Sequence, residues 1–380
     1  MGMSDILKCP QGQFTLLRLP YRKRELLQAW DAADEYILKY IADLESLNSS
    51  ARILIINDSF GALAAALHQY HPYAISDSFL SQEATRKNLE LNSKDMESVQ
   101  LSDSMTWPKG LFDLVLIKVP KTLALLEDQL IRLRPLINTE SQIVVAGMVK
   151  KMPASVWKLV DKIIGPTTTS QAKKKARLIF TTLEPSKPLP ISPYPSYYTL
   201  EGTQYQISNH ANVFSRESLD IGTRLFLKHI PTQPKVQDII DLGCGNGVVG
   251  LIAAEKNRDA TIHFIDESFM AVASAKENFT KAFGTERSAT FQVTDGLSTT
   301  ENESADLILC NPPFHQQSSV SDQLALQMFN ESKRVLKVGG ELWIIGNRHL
   351  GYHKSLKKIF GNVILVDSNK KFVVLKSIKN

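Results

Sequence analysis

The sequence contains little cysteine and no long apolar segment. Only three of its 380 residues are cysteines, Cys9, Cys244 and Cys310, and no two of them show the C-x-x-C spacing of a zinc or redox site. No run of about 18 apolar residues occurs that could cross a membrane. The N-terminus lacks the basic and then apolar segment of a secretory signal. These absences exclude a disulfide framework and predict a cytoplasmic protein that binds neither a metal nor a membrane.

The composition is otherwise that of an ordinary globular protein. Apolar residues make up 43% of the chain and charged residues 22%, which excludes a disordered or fibrous protein. A chain of 380 residues exceeds what a single hydrophobic core of ordinary size holds, so two domains are expected. The net charge of +5 is compatible with a polyanionic partner such as nucleic acid, but it does not establish one.

Proline and serine cluster in residues 184–198, a stretch that favours neither a helix nor a central strand. On both sides of it, apolar runs of strand length alternate with amphipathic stretches of helix length, the pattern of a parallel sheet flanked by helices. The sequence therefore predicts an α/β fold of two tandem, doubly wound domains. We place the first domain at residues 1–185, a proline-rich linker at 186–199 and the second domain at 200–380.

The two halves correspond weakly but in order, with an offset that drifts from about 185 to about 195 residues. Each half has a strand that turns through a glycine into a helix, then a strand ending in an aspartate (Asp77 or Asp266) and a later asparagine (Asn88 or Asn278). This order favours duplication of one ancestral domain, although any two doubly wound domains share part of such spacing. The corresponding segments are residues 53–61 and 239–247, 77–88 and 266–278, 112–116 and 305–309, and 165–175 and 361–371.

A glycine-rich turn follows the first strand of the second half, where Asp241 precedes the hexapeptide LGCGNG. Glycines at such a turn let the backbone approach a ligand closely. The spacing D-x-G-x-G-x-G differs from the G-x-G-x-x-G of dinucleotide-binding domains and is the form found in class I methyltransferases. It predicts S-adenosylmethionine as the cofactor, with a turn that binds no ligand as the alternative. The residues predicted to bind the cofactor here are Asp241, Gly243, Cys244, Gly245 and Gly247.

Two further aspartates and one aromatic residue belong to the predicted cofactor site. Asp266 ends the next strand, about 20 residues after the glycine loop, where a carboxylate can accept hydrogen bonds from both ribose hydroxyls. A helix N-cap is the alternative for this residue. Asp295 ends the strand after that and is expected beside the adenine amine, with Gly296 leaving room. Phe214 precedes the first helix of this half and either covers the cofactor or packs at the helix entry.

The most informative motif is Asn311-Pro312-Pro313-Phe314, directly after an apolar strand. Two consecutive prolines there remove two ladder donors and fix two φ angles, so this point requires rigidity. The amine of a nucleobase or carboxamide is a poor nucleophile because its lone pair is delocalised. The Asn311 side-chain oxygen and the Pro312 carbonyl can draw its hydrogens out of the plane beside the cofactor, and Phe314 can stack on the planar target. The motif predicts methylation of a planar exocyclic amine, with a rigid turn as the alternative.

With these motifs in order, the C-terminal half resembles the RsmC/RlmG family of ribosomal RNA guanine-N2 methyltransferases. The resemblance implies two class I methyltransferase-like, Rossmann-like domains, of which the N-terminal one is a degenerate duplicate. It also implies transfer from S-adenosylmethionine to a guanine N2 amine by the C-terminal domain, with the N-terminal domain assisting RNA recognition. Residues 28–36, 57–63 and 118–126 are similar to the branch that acts on large-subunit (23S) RNA. The segments that carry the resemblance in the C-terminal half are residues 212–216, 241–247, 266–268, 311–315 and 347–349.

The N-terminal half has Lys118-Val119-Pro120-Lys121 where the second half has the asparagine tetrapeptide. It lacks the asparagine acceptor and the stacking ring, and its glycine loop retains only Gly61, so we expect it not to bind S-adenosylmethionine. Its lysines favour phosphate contacts with RNA, although such clusters are often only a solvated face. The candidate RNA-binding residues are Lys118, Lys121, Arg22, Lys23, Arg24, Lys173, Lys174, Lys175 and, next to the tetrapeptide, His315.

Several other functions compete with this interpretation. Guanine-N2 methylation of small-subunit (16S) RNA shares the duplicated plan. Methylation of a glutamine carboxamide in a translation factor uses the same tetrapeptide, but with a smaller helical N-terminal domain. DNA adenine methylation is disfavoured because no insert for target recognition interrupts the second half. A scaffold of two inactive copies would require a broken second site, and the motifs of that site are intact.

Overall fold

The computed structural model describes residues 5–21, 25–44, 47–312 and 319–380, without the side chains of residues 319–322. The chain divides into two compact units, Met1–Pro193 and Tyr194–Asn380. Each unit contains one seven-stranded sheet with helices between its strands, so the predicted α/β class and the two tandem, doubly wound domains are confirmed. Among the described residues, no helix combines the length and the apolar character needed to cross a membrane.

The N-terminal unit begins with a small hairpin and continues as alternating helices and strands. Its elements are β1 (Ile6–Cys9), β2 (Gly12–Thr15), α1 (Ala32–Ala42), β3 (Ile53–Ile56), α2 (Ala62–Ala66), β4 (Tyr73–Ser76), α3 (Phe79–Leu91), β5 (Gln100–Asp103), β6 (Leu114–Lys118), α4 (Leu123–Leu133), β7 (Gln142–Met148), α5 (Ala154–Ile163), β8 (Thr167–Thr169) and β9 (Ala176–Thr181). The sheet order is β5-β4-β3-β6-β7-β9-β8. The first five strands are parallel, and β9 is antiparallel to both of its neighbours.

The C-terminal unit repeats this plan. Its elements are β10 (Ser196–Thr199), β11 (Gln206–Asn209), α6 (Ile221–Leu227), β12 (Asp238–Leu242), α7 (Val248–Lys256), β13 (Thr261–Asp266), α8 (Phe269–Phe283), β14 (Ala289–Val293), β15 (Ala305–Cys310), α9 (Ser319–Val335), β16 (Leu336–Asn347), α10 (Tyr352–Phe360), β17 (Ile364–Ser368) and β18 (Phe372–Ile378). The sheet order, β14-β13-β12-β15-β16-β18-β17, matches that of the first unit strand for strand.

The central strands are apolar on both faces because helices cover both sides of each sheet. All four residues of β3 are buried, as are four of the five residues of β12. In such sheets a ligand binds outside the carboxyl ends of the strands, at the point where the strand order reverses. In the C-terminal unit this point lies between β12 and β15. The fold therefore brings the glycine loop after β12 next to Asn311 after β15.

Two buried asparagines show that the units share contacts as well as topology. The Asn88 Nδ2 donates to the Phe60 carbonyl at 2.7 Å, and the Asn278 Nδ2 donates to the Asn246 carbonyl at 2.9 Å. In each case the acceptor carbonyl directly precedes the glycine at the start of α2 or α7. The predicted correspondence of these asparagines is therefore confirmed.

The predicted correspondence of Asp77 with Asp266 is wrong, because Ser76 occupies the position of Asp266. The Ser76 hydroxyl accepts a hydrogen bond from the Ser78 amide at 3.1 Å, just as the Asp266 carboxylate accepts one from the Ser268 amide at 3.0 Å. Both serines that follow are helix N-caps, so the two turns are equivalent. The N-terminal unit thus lacks the strand-end carboxylate of the second unit.

The proline-rich linker is shorter than the predicted 186–199. Strand β10 lies within that stretch, pairs with β11 and belongs to the second unit, which begins at Tyr194. The last proline of the stretch, Pro195, precedes the strand, so residues 196–199 can all donate ladder hydrogen bonds. Strand β10 also reaches the glycine loop, because the Tyr198 hydroxyl accepts a hydrogen bond from Asn246 Nδ2 at 3.1 Å.

Candidate active site

The glycine loop after β12 depends on the left-handed backbone conformation. Gly243, Gly245 and Gly247 have φ angles of 72°, 53° and 80°, which glycine adopts without steric cost. A Cβ on Gly247 would lie 2.8 Å from the Ala275 Cβ, so this glycine allows α7 to pack against α8. A Cβ on Gly245 would meet no atom of the described residues within 4 Å. The loop therefore leaves its backbone open to a ligand at Gly245.

Asp266 ties this loop to the start of α8. Its Oδ2 accepts a hydrogen bond from the Gly245 amide and its Oδ1 accepts one from the Ser268 amide, both at 3.0 Å. The N-cap of α8 is Ser268, so the alternative interpretation of Asp266 as the N-cap is wrong. A carboxylate oxygen can accept more than one hydrogen bond, and this carboxylate lies beside the open face of Gly245. Its position suits the ribose hydroxyls, and that contact stays a prediction.

Asp241 lies beneath the loop and is only 2% exposed. Its Oδ2 accepts a hydrogen bond from the Gly250 amide at 2.8 Å, which links β12 to the first turn of α7. Burial, and then the nearby charge of Asp266, raise the pKa of the Asp241 carboxyl to about 8. The structure gives Asp241 a contact that braces the loop, and its predicted contact with the cofactor stays a prediction.

Asp295 follows β14, the outermost strand on one side of the C-terminal sheet. Burial, and then the charge of Glu331, raise the pKa of its carboxyl. Gly296 does not leave room for a ligand as the sequence suggests, because its missing side chain makes space for Glu331. A Cβ on Gly296 would lie 2.6 Å from the Glu331 Oε2, which accepts a hydrogen bond from the Leu297 amide. The contact of Asp295 with adenine stays a prediction.

The remaining predicted cofactor residues differ in exposure. The Cys244 thiol is buried, and burial raises its pKa well above the ordinary value, so it stays protonated and packs in the apolar core. Phe214, by contrast, is 54% exposed. A side chain this exposed is not part of the packed core, and the role of Phe214 as a cover over the cofactor stays a prediction.

Asn311 is held in one orientation by a contact with the first turn of α6. Its Nδ2 donates to the Thr223 hydroxyl at 3.1 Å, and the Thr223 amide donates to the Asp220 carboxylate at 2.9 Å. The Asn311 Oδ1 is buried and, in the described part of the chain, has no hydrogen-bond partner. A buried acceptor without a partner is rare, and a donor group of a ligand is one kind of partner that would satisfy it. Pro312 is buried beside it, whereas Pro313, Phe314 and His315 lie outside the described residues.

Sequence reasoning missed the residues that hold or surround Asn311. Thr223 and Asp220 could have been suspected only from their spacing, because Asp-x-x-Thr is a helix-start pattern. Two further buried oxygens at this edge of the sheet have no hydrogen-bond partner among the described residues, Thr294 Oγ1 and Asn347 Oδ1. Thr294 follows β14 and Asn347 ends β16. The carboxyl edge of the C-terminal sheet therefore presents unpaired acceptors at three strand ends.

The equivalent edge of the N-terminal unit is filled by its own side chains. Asn57 has a φ of 67° and stands where Gly243 stands in the second unit. Its carboxamide exchanges two hydrogen bonds with Gln129, both 2.8 Å. Ser104, at the position of Thr294, donates to the Asp77 carboxylate at 2.5 Å. Side chains thus occupy the space that the glycine loop leaves open in the C-terminal unit.

Lys118 stands at the position of Asn311, and its predicted contact with RNA phosphate is wrong. Its Nζ lies 2.8 Å from the Asp31 Oδ1 and 2.6 Å from the Asp34 Oδ1, and its side chain is 13% exposed. Burial disfavours the charged lysine, but the two carboxylates outweigh burial and raise the pKa of Lys118. A cation that is buried and doubly paired is not available to a phosphate.

Four of the other predicted RNA-binding lysines are exposed at one edge of the N-terminal sheet. Lys121 follows β6, and Lys175 directly precedes β9, whose first residue pairs with the last residue of β7. Lys173 Nζ lies 5.0 Å from the centre of the Tyr36 ring, and Lys174 Nζ lies 2.6 Å from the Glu35 Oε2. We refer to Lys121, Lys173, Lys174 and Lys175 as the edge lysines. Arg22, Lys23 and Arg24 lie outside the described residues.

No metal centre is evident in the ranges that the structure describes, since these contain no group of three or more His, Cys, Asp or Glu placed to hold an ion.

Two family models match the chain. The first, described as the RLMG N-terminal domain, matches residues 4–185, and the second, described as the methyltransferase small domain, matches residues 204–376.

Curated relatives cover nearly the whole chain. The ribosomal RNA large subunit methyltransferase G of Streptomyces griseus is 46% identical over 376 residues, which is 97% of this chain and 98% of the relative. The protein of the same name from Pseudomonas paraeruginosa is 49% identical over 369 residues, with 97% and 98% coverage. Among solved structures, the T. thermophilus 16S rRNA N2 guanine methyltransferase RsmC, in complex with AdoMet and guanosine, superposes with a TM-score of 0.74. It is 18% identical, and the match covers 99% of this chain and 97% of RsmC, which shows a shared fold.

Proposed function

We propose, since the chain belongs to the family of ribosomal RNA large subunit methyltransferase G, that it transfers a methyl group from S-adenosylmethionine to a guanine N2 amine of large-subunit (23S) ribosomal RNA. The family resemblance seen in the sequence is thereby confirmed. The single observation that carries the chemistry is the buried, unpartnered Oδ1 of Asn311, because an exocyclic amine needs such an acceptor.

The residues around the cleft fit S-adenosylmethionine. The backbone at Gly245 is open, and the Asp266 carboxylate lies next to it to receive ribose hydroxyls. Thr294 and Asp295 stand at the neighbouring strand end, where the adenine would lie, and Phe214 is exposed to cover it. The bound cofactor supplies an electrophilic methyl group on a sulfonium centre. No charged protein nucleophile is required, because the substrate amine itself attacks.

The role of the protein in the reaction is to prepare the amine. Thr223 fixes the Asn311 carboxamide so that its Oδ1 faces away from α6, and this oxygen accepts one amine hydrogen. The Pro312 carbonyl accepts the other, and the two bonds pull the hydrogens out of the base plane. The lone pair then leaves the π system and points at the methyl group. As the new N–C bond forms and the S–C bond breaks, positive charge moves to the nitrogen, which afterwards loses one proton to solvent.

The N-terminal unit serves a different purpose. Its counterpart of the cofactor cleft is filled by the Asn57–Gln129 pair and the Lys118 ion pairs, so we infer that it binds no S-adenosylmethionine. The edge lysines line the same edge of the sheet that presents the reactive site in the second unit. Exposed lysines at that edge suit RNA phosphates, which supports residues 1–185 as an RNA-recognition domain.

The direct test uses purified protein, radiolabelled S-adenosylmethionine and separated large and small ribosomal RNAs from a strain that lacks this enzyme. Label is expected in the large RNA, as N2-methylguanosine after nuclease digestion. Label only in the small RNA would move the assignment to the 16S substrate. Label only in protein would contradict RNA methylation, and label at adenine would contradict the guanine assignment.

A further inference from the structure

Asn347 carries the second carboxamide oxygen at this edge of the C-terminal sheet that has no hydrogen-bond partner among the described residues. It is the last residue of β16, the strand next to β15. Cys310 of β15 pairs with Ile344 of β16 in a parallel register. Asn311 comes one residue after Cys310, and Asn347 comes three residues after Ile344. Continuing the register places the two asparagines two positions apart. Side chains two positions apart along strands share one face of the sheet, so both carboxamides belong to the same face.

The packing of α6 also supports the proximity of Asn347 and Asn311. Asn347 pairs across the antiparallel ladder with Phe372 of β18. A Cβ on Gly222 would lie 3.0 Å from the Phe372 Cε1, so the first turn of α6 rests on this ring. The next residue of that turn, Thr223, is the one that holds Asn311. The same helical turn therefore contacts Asn311 and the ladder partner of Asn347.

The N-terminal unit lacks this second carboxamide. Lys118, the counterpart of Asn311, pairs with Ala146, so the position two residues further along β7 is Met148. A methionine thioether offers no strong acceptor. The C-terminal unit, which contains Asn311, thus has the Asn347 oxygen at this strand end. The N-terminal unit, which has Lys118 in place of Asn311, has the apolar Met148 there. A residue needed only to end the strand would not follow this division.

The chemistry of the base indicates what the second oxygen contacts. In guanine the N2 amine is adjacent to N1–H, which is a donor, whereas in adenine the N6 amine is adjacent to N1, which is an acceptor. An Asn-Pro-Pro-aromatic motif binds the amine of either base and does not distinguish them. A second acceptor beside the first accepts N1–H of guanine and opposes the lone pair of adenine N1. We propose that the Asn347 Oδ1 accepts a hydrogen bond from N1–H of the target guanine and so makes the site specific for guanine.

This inference rests on the proposed guanine-N2 activity, and the experiment separates the two. The methylated position is first located in labelled large-subunit RNA, and short RNAs are made with guanine or 2-aminopurine at that position. The analogue keeps the 2-amino group but has a lone pair at N1 and lacks O6. The kcat/KM of wild-type protein is expected to fall roughly 10- to 100-fold on the analogue, since a buried acceptor loses its donor.

Asn347→Ala and Asn347→Asp test which part of that loss depends on this side chain. Alanine removes the acceptor, so kcat/KM on guanine should fall and the guanine-to-analogue ratio should shrink at least about tenfold relative to wild type. Aspartate retains an acceptor oxygen and should keep most of the ratio. Thr300→Val is the matched control, because it removes another unpartnered buried oxygen, near Arg334 at the opposite edge of the sheet, and should leave the ratio unchanged.

The outcomes are distinguishable. If wild-type protein methylates no guanine in the large RNA, the proposed function fails before Asn347 is tested. If wild type methylates guanine but the alanine variant keeps the full wild-type ratio, the role of Asn347 is refuted. Should the alanine variant be inactive, the aspartate variant decides, since loss of the ratio in a variant that retains the acceptor also refutes the proposal. S-adenosylmethionine affinity, expected to be unchanged in both variants, reports that the site is folded.

Discussion

Lys118 and Asp34 form a buried ion pair in which the lysine Nζ lies 2.6 Å from the aspartate Oδ1. The corresponding positions of the second unit are Asn311 and Thr223, which share a hydrogen bond of 3.1 Å. Both units thus keep a contact between the first turn of a helix (α1 or α6) and the end of a strand (β6 or β15). The chemistry of the contact differs between the units. In the C-terminal half the contact orients the Asn311 carboxamide, whose Oδ1 has no partner among the described residues. In the other it closes the space with charges that neutralise each other.

Asn311→Ala should abolish most of the turnover while leaving cofactor affinity near wild type. The variant removes the oxygen that we propose draws an amine hydrogen out of the base plane, so a loss of roughly 100- to 1000-fold in kcat is expected. Single-turnover methylation and calorimetric titration of S-adenosylmethionine measure the two effects separately. Thr223→Val, which frees the carboxamide to rotate without removing it, should give a smaller loss of kcat. Undiminished methylation by Asn311→Ala would exclude the role of this oxygen.

S-adenosylmethionine should bind with a stoichiometry of one per chain. Asp266→Ala is expected to weaken that binding at least about tenfold, because the carboxylate proposed to accept hydrogen bonds from ribose is removed and the Gly245 amide loses its partner. Ser76→Ala is the matched control in the N-terminal unit, since Ser76 occupies the equivalent turn. It should leave both affinity and stoichiometry unchanged. A second binding event that disappears with Ser76 or Asn57 variants would contradict the filled cleft.

Substitutions of Lys118 and of Lys121 should differ in their effects on stability and on RNA binding. Lys118→Met leaves two carboxylates without their cation and should destabilise the N-terminal unit by about 3 kcal/mol. Lys121→Ala removes an exposed charge and should change stability by less than about 0.5 kcal/mol. Hydrogen exchange of the β3 and β6 amides reports the stability of this unit.

For RNA binding the Lys121 variant should have the larger effect and the Lys118 variant the smaller one, because only the exposed lysine can contact phosphate. Lys121→Ala, alone or with Lys173→Ala and Lys175→Ala, should weaken binding of large-subunit RNA. It should also reduce the slope of log affinity against log salt by about one for each phosphate that is no longer bound. Lys118→Met should keep the wild-type slope under conditions where it is folded. A reduced slope for Lys118→Met with an unchanged slope for the triple variant would show that the edge lysines are not the RNA surface.

Asp241 should make the C-terminal unit less stable as the pH rises. Its pKa is about 8 in the folded protein against an ordinary 3.8, so between about pH 4 and pH 8 the folded state holds a proton that the unfolded chain has released. The stabilisation from this proton is complete below the ordinary pKa and disappears as the pH passes the folded one. Asp241→Asn keeps an acceptor for the Gly250 amide and needs no proton. Without cofactor, it should therefore exceed wild type in stability at pH 9 by more than about 1 kcal/mol, and the difference should vanish near pH 4.

Hydrogen exchange of the β12 amides at several pH values measures the effect of this substitution. Asp259→Asn, at an exposed aspartate, is the control and should track wild type at every pH. A pH-independent difference between Asp241→Asn and wild type would mean that the carboxyl is ionised in the folded state.

Local sequence patterns were sufficient for the parts of the site that consist of neighbouring residues. The glycine loop lies within a few residues, and its conformation follows from glycine sterics. The α/β class follows in the same way from alternating strand and helix patterns. The match of Asn88 with Asn278 was also visible, because in each unit the asparagine lies on the helix that follows the turn. The match of Asp77 with Asp266 failed by one residue, since an acidic side chain in the sequence does not show which of two adjacent positions ends the strand.

Tertiary structure alone decided what each side chain contacts. Lys118 looks in the sequence like a cation free for RNA, but the fold places it against two carboxylates more than 80 residues away. Asn311 depends on a threonine 88 residues before it, and Gly296 on a glutamate that is not its neighbour in the chain. These contacts arise because the strand order brings the ends of distant strands to one edge of the sheet. The sequence by itself therefore determined the fold class and the conformation of the glycine loop, while the sheet decided which polar groups are paired and which have no partner among the described residues.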